Sequence, residues 1–109
     1  MKAKGLLDEF GVIAKANKLL PDELCRSILR AIAELEDNEA HRTRNFPVTQ
    51  LHAVEGIKGV YRAYIDKTKG WRLHVRYGED KNLHLCDVLE PNEHDRVQVV
   101  IKKRKHRYD

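Results

Sequence analysis

Hydrophobic positions along the chain change period once, near Gly59, and the change divides it into a helical part and a strand part. Leu6, Phe10, Ile13, Ala14 and Leu20 step mostly by three and four residues, the spacing of one helix face, although Gly5 and Gly11 oppose helix formation. A first helix is therefore expected from Leu6. Pro21, Asp22 and Glu23 supply the proline and the acids that suit a helix start. Leu24, Ile28, Ala31, Ile32 and Leu35 then form one stripe and predict a second helix over about residues 22–37. The two read as an antiparallel helical hairpin whose apolar faces need another layer to cover. The polar residues 38–45, closed by Phe46 and Pro47, read as a loop.

Past Gly59 the period is two. Val60 to Asp66 sets Tyr61, Ala63 and Ile65 on one face and Arg62, Tyr64 and Asp66 on the other. Trp71 to Tyr77 sets Trp71, Leu73, Val75 and Tyr77 against Arg72, His74 and Arg76. Lys67 to Gly70 joins these strands as a short hairpin loop, and the near-continuous apolar run from Leu83 to Leu89 predicts a strand buried on both faces. The expectation is an α+β fold: an N-terminal helical hairpin packed on an antiparallel β-sheet meander, followed by a short basic C-terminal helix or tail from His94. The hairpin would cover Tyr61, Ala63, Ile65, Trp71, Leu73 and Val75. The opposite face, with Arg62, Tyr64, Arg72, His74 and Arg76, would stay open.

At 109 residues the chain is the size of a single domain, with a thin core implied by 41% hydrophobic and 35% charged residues. It has no apolar run long enough for a membrane span and no secretory leader pattern. Cys25 and Cys86 stand far apart, outside any metal-ligand spacing, and read as reduced, buried filler in a cytoplasmic protein.

Charge changes the picture further. Residues 1–55 carry 8 Lys/Arg against 9 Asp/Glu, whereas residues 56–109 carry 13 against 8. Lys58, Arg62, Lys67, Lys69, Arg72 and Arg76 meet one acid, Asp66, and Lys102, Lys103 and Arg104 begin a basic tail. A solvated basic face would explain this pattern, and so would a polyanion site. Crowding of like charge on neighbouring strands favours the anion site, because such a patch costs stability until an anion offsets it.

Arginine matches phosphate with a planar fork, and Tyr64 offers a face to an unpaired base. Metal-free RNA cleavage needs a base for the 2′-hydroxyl, an acid for the leaving oxygen and positive charge for the phosphorane. His74, His84, His94 and Glu55 are the candidate proton carriers, and spacing does not choose among them. The six histidines form no zinc or two-metal motif; His74 and His84 are the pair that could meet across a hairpin.

Residues 51–66 (LHAVEGIKGVYRAYID), 69–77 (KGWRLHVRY) and 83–89 (LHLCDVL) with a histidine beyond resemble the RelE/ParE superfamily of toxins from bacterial toxin-antitoxin pairs. The resemblance extends over about residues 11–97, as a single domain. It implies a ribosome-dependent mRNA endonuclease that acts without metal or cofactor by 2′-hydroxyl attack. Arg62 and Arg72 match the basic residues that contact the scissile phosphate. His94 lies near the basic residue after the last core strand, with His74 as the other proton carrier. RNA contacts fall to Lys58, Tyr64, Lys67, Lys69, Arg76, Lys102, Lys103 and Arg104. The implied partners are a cognate antitoxin, the ribosome and mRNA, with no membrane and a monomeric free toxin. Two departures stand out: residues 95–98 lack the tyrosine of many active members, Tyr108 lying farther along, and no acid clearly precedes the hairpin. A ParE-like inhibitor of DNA gyrase and a non-catalytic nucleic-acid-binding domain are therefore the alternatives.

Overall fold

A computed structural model describes residues 5–92, Ile101 and Tyr108. Strand β1 (Leu6–Leu7) is followed by helix α1 (Val12–Leu19), a 3-10 turn at Asp22–Leu24, α2 (Cys25–Glu36) and α3 (Asn38–Thr43). Strands β2 (His52–Ala53), β3 (Val60–Asp66), β4 (Trp71–Tyr77) and β5 (Leu83–Leu89) complete it. The sheet has five strands in the order β1-β5-β4-β3-β2.

The three-strand meander has the bounds its alternation predicts. Gly70 closes the β3–β4 hairpin at φ 85, a backbone angle that suits glycine, and its amide donates to Asp66 O at 2.9 Å. All seven residues of β5 are buried, as expected of a strand covered on both faces.

Two edge strands were not anticipated. Leu6 and Leu7 are not the first turn of a helix; they pair in parallel with Leu83 and His84. Helix α1 begins only after Gly11, which takes φ 65, and the Asp8 carboxylate accepts from the amides of Val12 (2.7 Å) and Ile13 (3.0 Å). Those bonds satisfy two of the orphan donors of the first turn. His52 and Ala53 pair with Arg62 and Tyr61, and Glu34 of α2 anchors the approach to them by accepting from Val48 N, Thr49 N and Thr49 Oγ1.

Residues 38–45 also depart from expectation. They contain α3, capped by Asp37 accepting from Glu39 N at 2.9 Å and ended by Arg44 in the left-handed conformation at φ 58. The helix survives its polar composition because it buries Ala40 and His41. The imidazole donates from Nε2 to Leu35 O (2.8 Å), so Nδ1 accepts from the Tyr77 hydroxyl (2.7 Å), pinning α3 to α2 and β4.

Helix α1 packs on β5 and α2 on β3. Between helices and sheet lie Leu20, Leu24, Ile28 and Leu35 with Ala63, Ile65, Trp71, Leu73, Val75, Leu85 and Val88, while Tyr61 packs at the margin. The face predicted to receive the helices does receive them. No helix among the described residues is long and apolar enough to cross a membrane.

Candidate nucleic-acid interface

Cross-strand register builds the second face of the sheet. His52 pairs with Arg62, Arg62 with His74 and His74 with Asp87, a row across four strands. Arg72 pairs with Tyr64 and Leu89, and Arg76 with Val60 and His84. Neighbouring strands lie about 4.8 Å apart and same-face residues about 7 Å apart along a strand. Three arginines therefore surround one histidine within the span of a nucleotide or two, as the alternation predicted.

The face is not open, which corrects the expectation. Arg72, His74 and Asp87 have no solvent exposure, and Arg62, Tyr64 and Arg76 are half-buried. Tyr108 lies over His74, its hydroxyl 2.9 Å from Nδ1 and its ring at 70° to the imidazole. Burial, then the positive charges of Arg62 and Arg72, push His74 down from 6.5 to about 3, with the Asp87 carboxylate opposing them. The ring is neutral at physiological pH.

Arg72 donates from Nη1 to Gly70 O at 2.7 Å, tying the start of β4 to its own hairpin. Asp87 accepts from Lys15 Nζ of α1 (3.1 Å) and from Val88 N (2.9 Å). Against these settled groups stand Arg62 Nε, Arg76 Nε and His74 Nε2, all buried and without a hydrogen-bond partner among the described residues. A buried donor left unpaired costs about 1–3 kcal/mol. An oxyanion with several acceptor oxygens would satisfy the two arginine donors together while offsetting their charge.

The remaining sequence candidates divide. Lys67 donates to Gln50 Oε1 (3.1 Å) and stands 5.9 Å from the Tyr64 ring centroid, beside the arginine row. Lys58 is exposed ahead of β3, as is Glu55. Lys69 turns away to pair with Glu23 of the 3-10 turn, so its charge is offset on the helical side. His84 does not meet His74; it lies between Glu9 and Asp80, with Nε2 3.0 Å from Asp80 Oδ1. That hydrogen bond, first among its causes, holds Asp80 at about 2. His94, Lys102, Lys103 and Arg104 lie outside the described residues, and of the expected C-terminal element only Ile101, which is helical, and Tyr108 are described. Cys86 is buried with its thiol pushed up to about 12, but Cys25 is partly exposed and not the core filler expected.

Sequence reasoning set Tyr108 aside as lying too far along the chain, and missed Asp87 and His52. Only an assumed register would have found the last two, since Arg62 opposite His74 fixes both.

No profile of a known protein family matches the chain, and no curated protein sequence matches it. Among solved structures, the crystal structure of the isolated E. coli RelE toxin in its P21 form aligns with 93% of this chain and 98% of its own, at a TM-score of 0.56 and 12% identity. The chain therefore has a RelE-like fold.

Proposed function

We propose that this protein is the toxin of a toxin-antitoxin pair, a ribosome-dependent endoribonuclease that cleaves mRNA by metal-independent attack of the 2′-hydroxyl. The observation that carries the reading is a pair of buried cationic donors beside His74: Arg62 Nε and Arg76 Nε have no partner among the described residues, as suits a phosphate site, and Nε2 of the neutral His74 ring is unpaired between them. The fold shared with a protein described as a toxin supports it, as do the RelE-like motifs around Arg62 and Arg72.

In this mechanism Arg62 and Arg72 hold the scissile phosphate and stabilise the phosphorane. Burial, and then the two unneutralised guanidiniums beside it, leave His74 too weak a base. A bound phosphate offsets the two guanidinium charges, though not the burial, and so raises the basicity of the ring and lets Nε2 take the 2′-hydroxyl proton while Nδ1–H donates to the Tyr108 hydroxyl. Tyr108, hydrogen-bonded to His74 Nδ1, orients the ring. His94 is the proposed acid for the leaving oxygen. Lys58, Tyr64, Lys67, Arg76 and the basic tail contact RNA, with Lys69 joining them if it releases Glu23. An antitoxin with an acidic segment would neutralise the same face.

Primer extension on a translated reporter message after brief induction tests the reading, comparing wild type with Arg62→Ala and Arg72→Ala. Arg62→Ala guards against misfolding, because Arg72 is fully buried. Cuts that require translation and vanish in both variants are expected. Growth arrest with intact messages and trapped gyrase would overturn the reading in favour of a gyrase inhibitor. Intact messages without arrest would leave a binding domain.

A further inference from the structure

Gln50 adopts a left-handed backbone at φ 51, which among the described non-glycine residues only Arg44 and Lys81 also do. Arg44 ends a helix and Lys81 sits in the tight turn where its amide donates to Gly78 O at 3.0 Å. Gln50 does something else. Its backbone carbonyl accepts from His52 Nδ1 at 2.7 Å, and its side-chain Oε1 accepts from Lys67 Nζ at 3.1 Å. Those two side chains both lie against Tyr64. The His52 and Tyr64 ring centroids are 5.9 Å apart with planes tilted 37°, and Lys67 Nζ lies 5.9 Å from the Tyr64 centroid.

None of this serves the core. His52 is exposed, Tyr64 half-buried, and neither belongs to the apolar cluster. Backbone strain that orients exposed groups without burying them is a mark of a functional position.

The chemistry of the cluster is specific. A carbonyl only accepts, so His52 Nδ1 carries the hydrogen and Nε2 of the neutral ring is left as an acceptor. The platform thus offers an aromatic face, one acceptor and one cationic donor. An unpaired nucleobase with an exocyclic amino group complements all three: its π-face stacks, its amine donates to Nε2, and its ring nitrogen or carbonyl accepts from Lys67.

We propose that His52 and Tyr64 form a stacking subsite for an unpaired amino-bearing base, and that Gln50 is its positioning residue. The proposal rests on the phosphate site argued above, because His52 and Tyr64 pair across the sheet with Arg62 and Arg72. A base on the platform has its phosphate at the arginine row.

Fluorescence anisotropy of labelled hexanucleotides tests it. The probes are oligoadenylate, oligouridylate and an abasic ribose-phosphate chain of the same length, with thermal melts confirming that each variant folds. His52→Ala and Tyr64→Leu should weaken oligoadenylate binding about tenfold and leave the abasic chain unchanged. Gln50→Gly keeps the left-handed backbone and the carbonyl but loses the hold on Lys67, so it should narrow the preference for oligoadenylate over oligouridylate. Equal losses on adenylate and abasic chains, or none, would overturn the subsite. If His52→Ala is silent while Arg62→Ala weakens every probe, the subsite fails and the phosphate site stands. If His52→Ala acts on oligoadenylate and Arg62→Ala is silent, the subsite stands and the phosphate site fails. Wild type binding none of the probes overturns both.

Discussion

Tyr108 places its hydroxyl 2.9 Å from Nδ1 of His74, joining the end of the chain to the middle of β4. A neutral imidazole at about pKa 3 has one donor and one acceptor nitrogen, and a hydroxyl that accepts from Nδ1–H leaves Nε2 as the lone-pair nitrogen that the proposed base requires. Tyr108→Phe keeps the ring and removes that control. Message cleavage in a translation extract should fall about a hundredfold, within the range of general acid–base contributions, with only about 1 kcal/mol of stability lost.

The same histidine makes stability depend on pH. Its folded pKa lies below its unfolded one, so the unfolded chain binds more protons between about pH 6.5 and pH 3. Stability is complete above that window and declines as pH falls through it, by a few kcal/mol at about 1.4 kcal/mol per unit. Urea midpoints from pH 7 to pH 4 should drop more steeply for wild type than for His74→Gln. Parallel curves would show that His74 does not carry the effect.

Sequence patterning located β3, β4 and β5 to the residue, because each alternates apolar and polar side chains or is nearly all apolar. It failed where the deciding partner is distant. Leu6 and Leu7 look like a helix turn until their pairing with β5 is known, and Asp8 caps α1 from outside the helix. Helix α3 hides because six residues are too few to show a period, and its anchor is one histidine bonded to Tyr77 and Leu35. At the site, alternation gathered the arginines correctly, whereas burial under Tyr108 follows from a contact across 34 positions.

Glu34 holds the approach to β2 through three accepted hydrogen bonds, those from Thr49 N and Oγ1 at 2.8 and 2.6 Å. Glu34→Ala strands these donors and should cost about 2–3 kcal/mol. Amide exchange should accelerate first at residues 48–53, ahead of global unfolding.

Gly78 lies close against His84. A Cβ there would stand 2.5 Å from His84 Nε2 and 2.5 Å from Asp80 Oδ1. Gly78→Ala should separate the pair and let the Asp80 carboxyl rise from about 2 toward its ordinary value, which a carbon-detected NMR titration reads directly. Overpacking of this kind costs about 1–3 kcal/mol, several degrees of melting temperature in a domain of this size.

The two-residue strand at Leu6–Leu7 also governs how copies of the chain treat one another. It covers the Leu83–His84 end of the outer rim of β5, an apolar-rich strand whose backbone groups there would otherwise be offered to any passing strand. Trimming the first seven residues, or charging Leu6 and Leu7, would uncover that rim, and the consequence would be self-association and precipitation during expression before any loss of RNA chemistry.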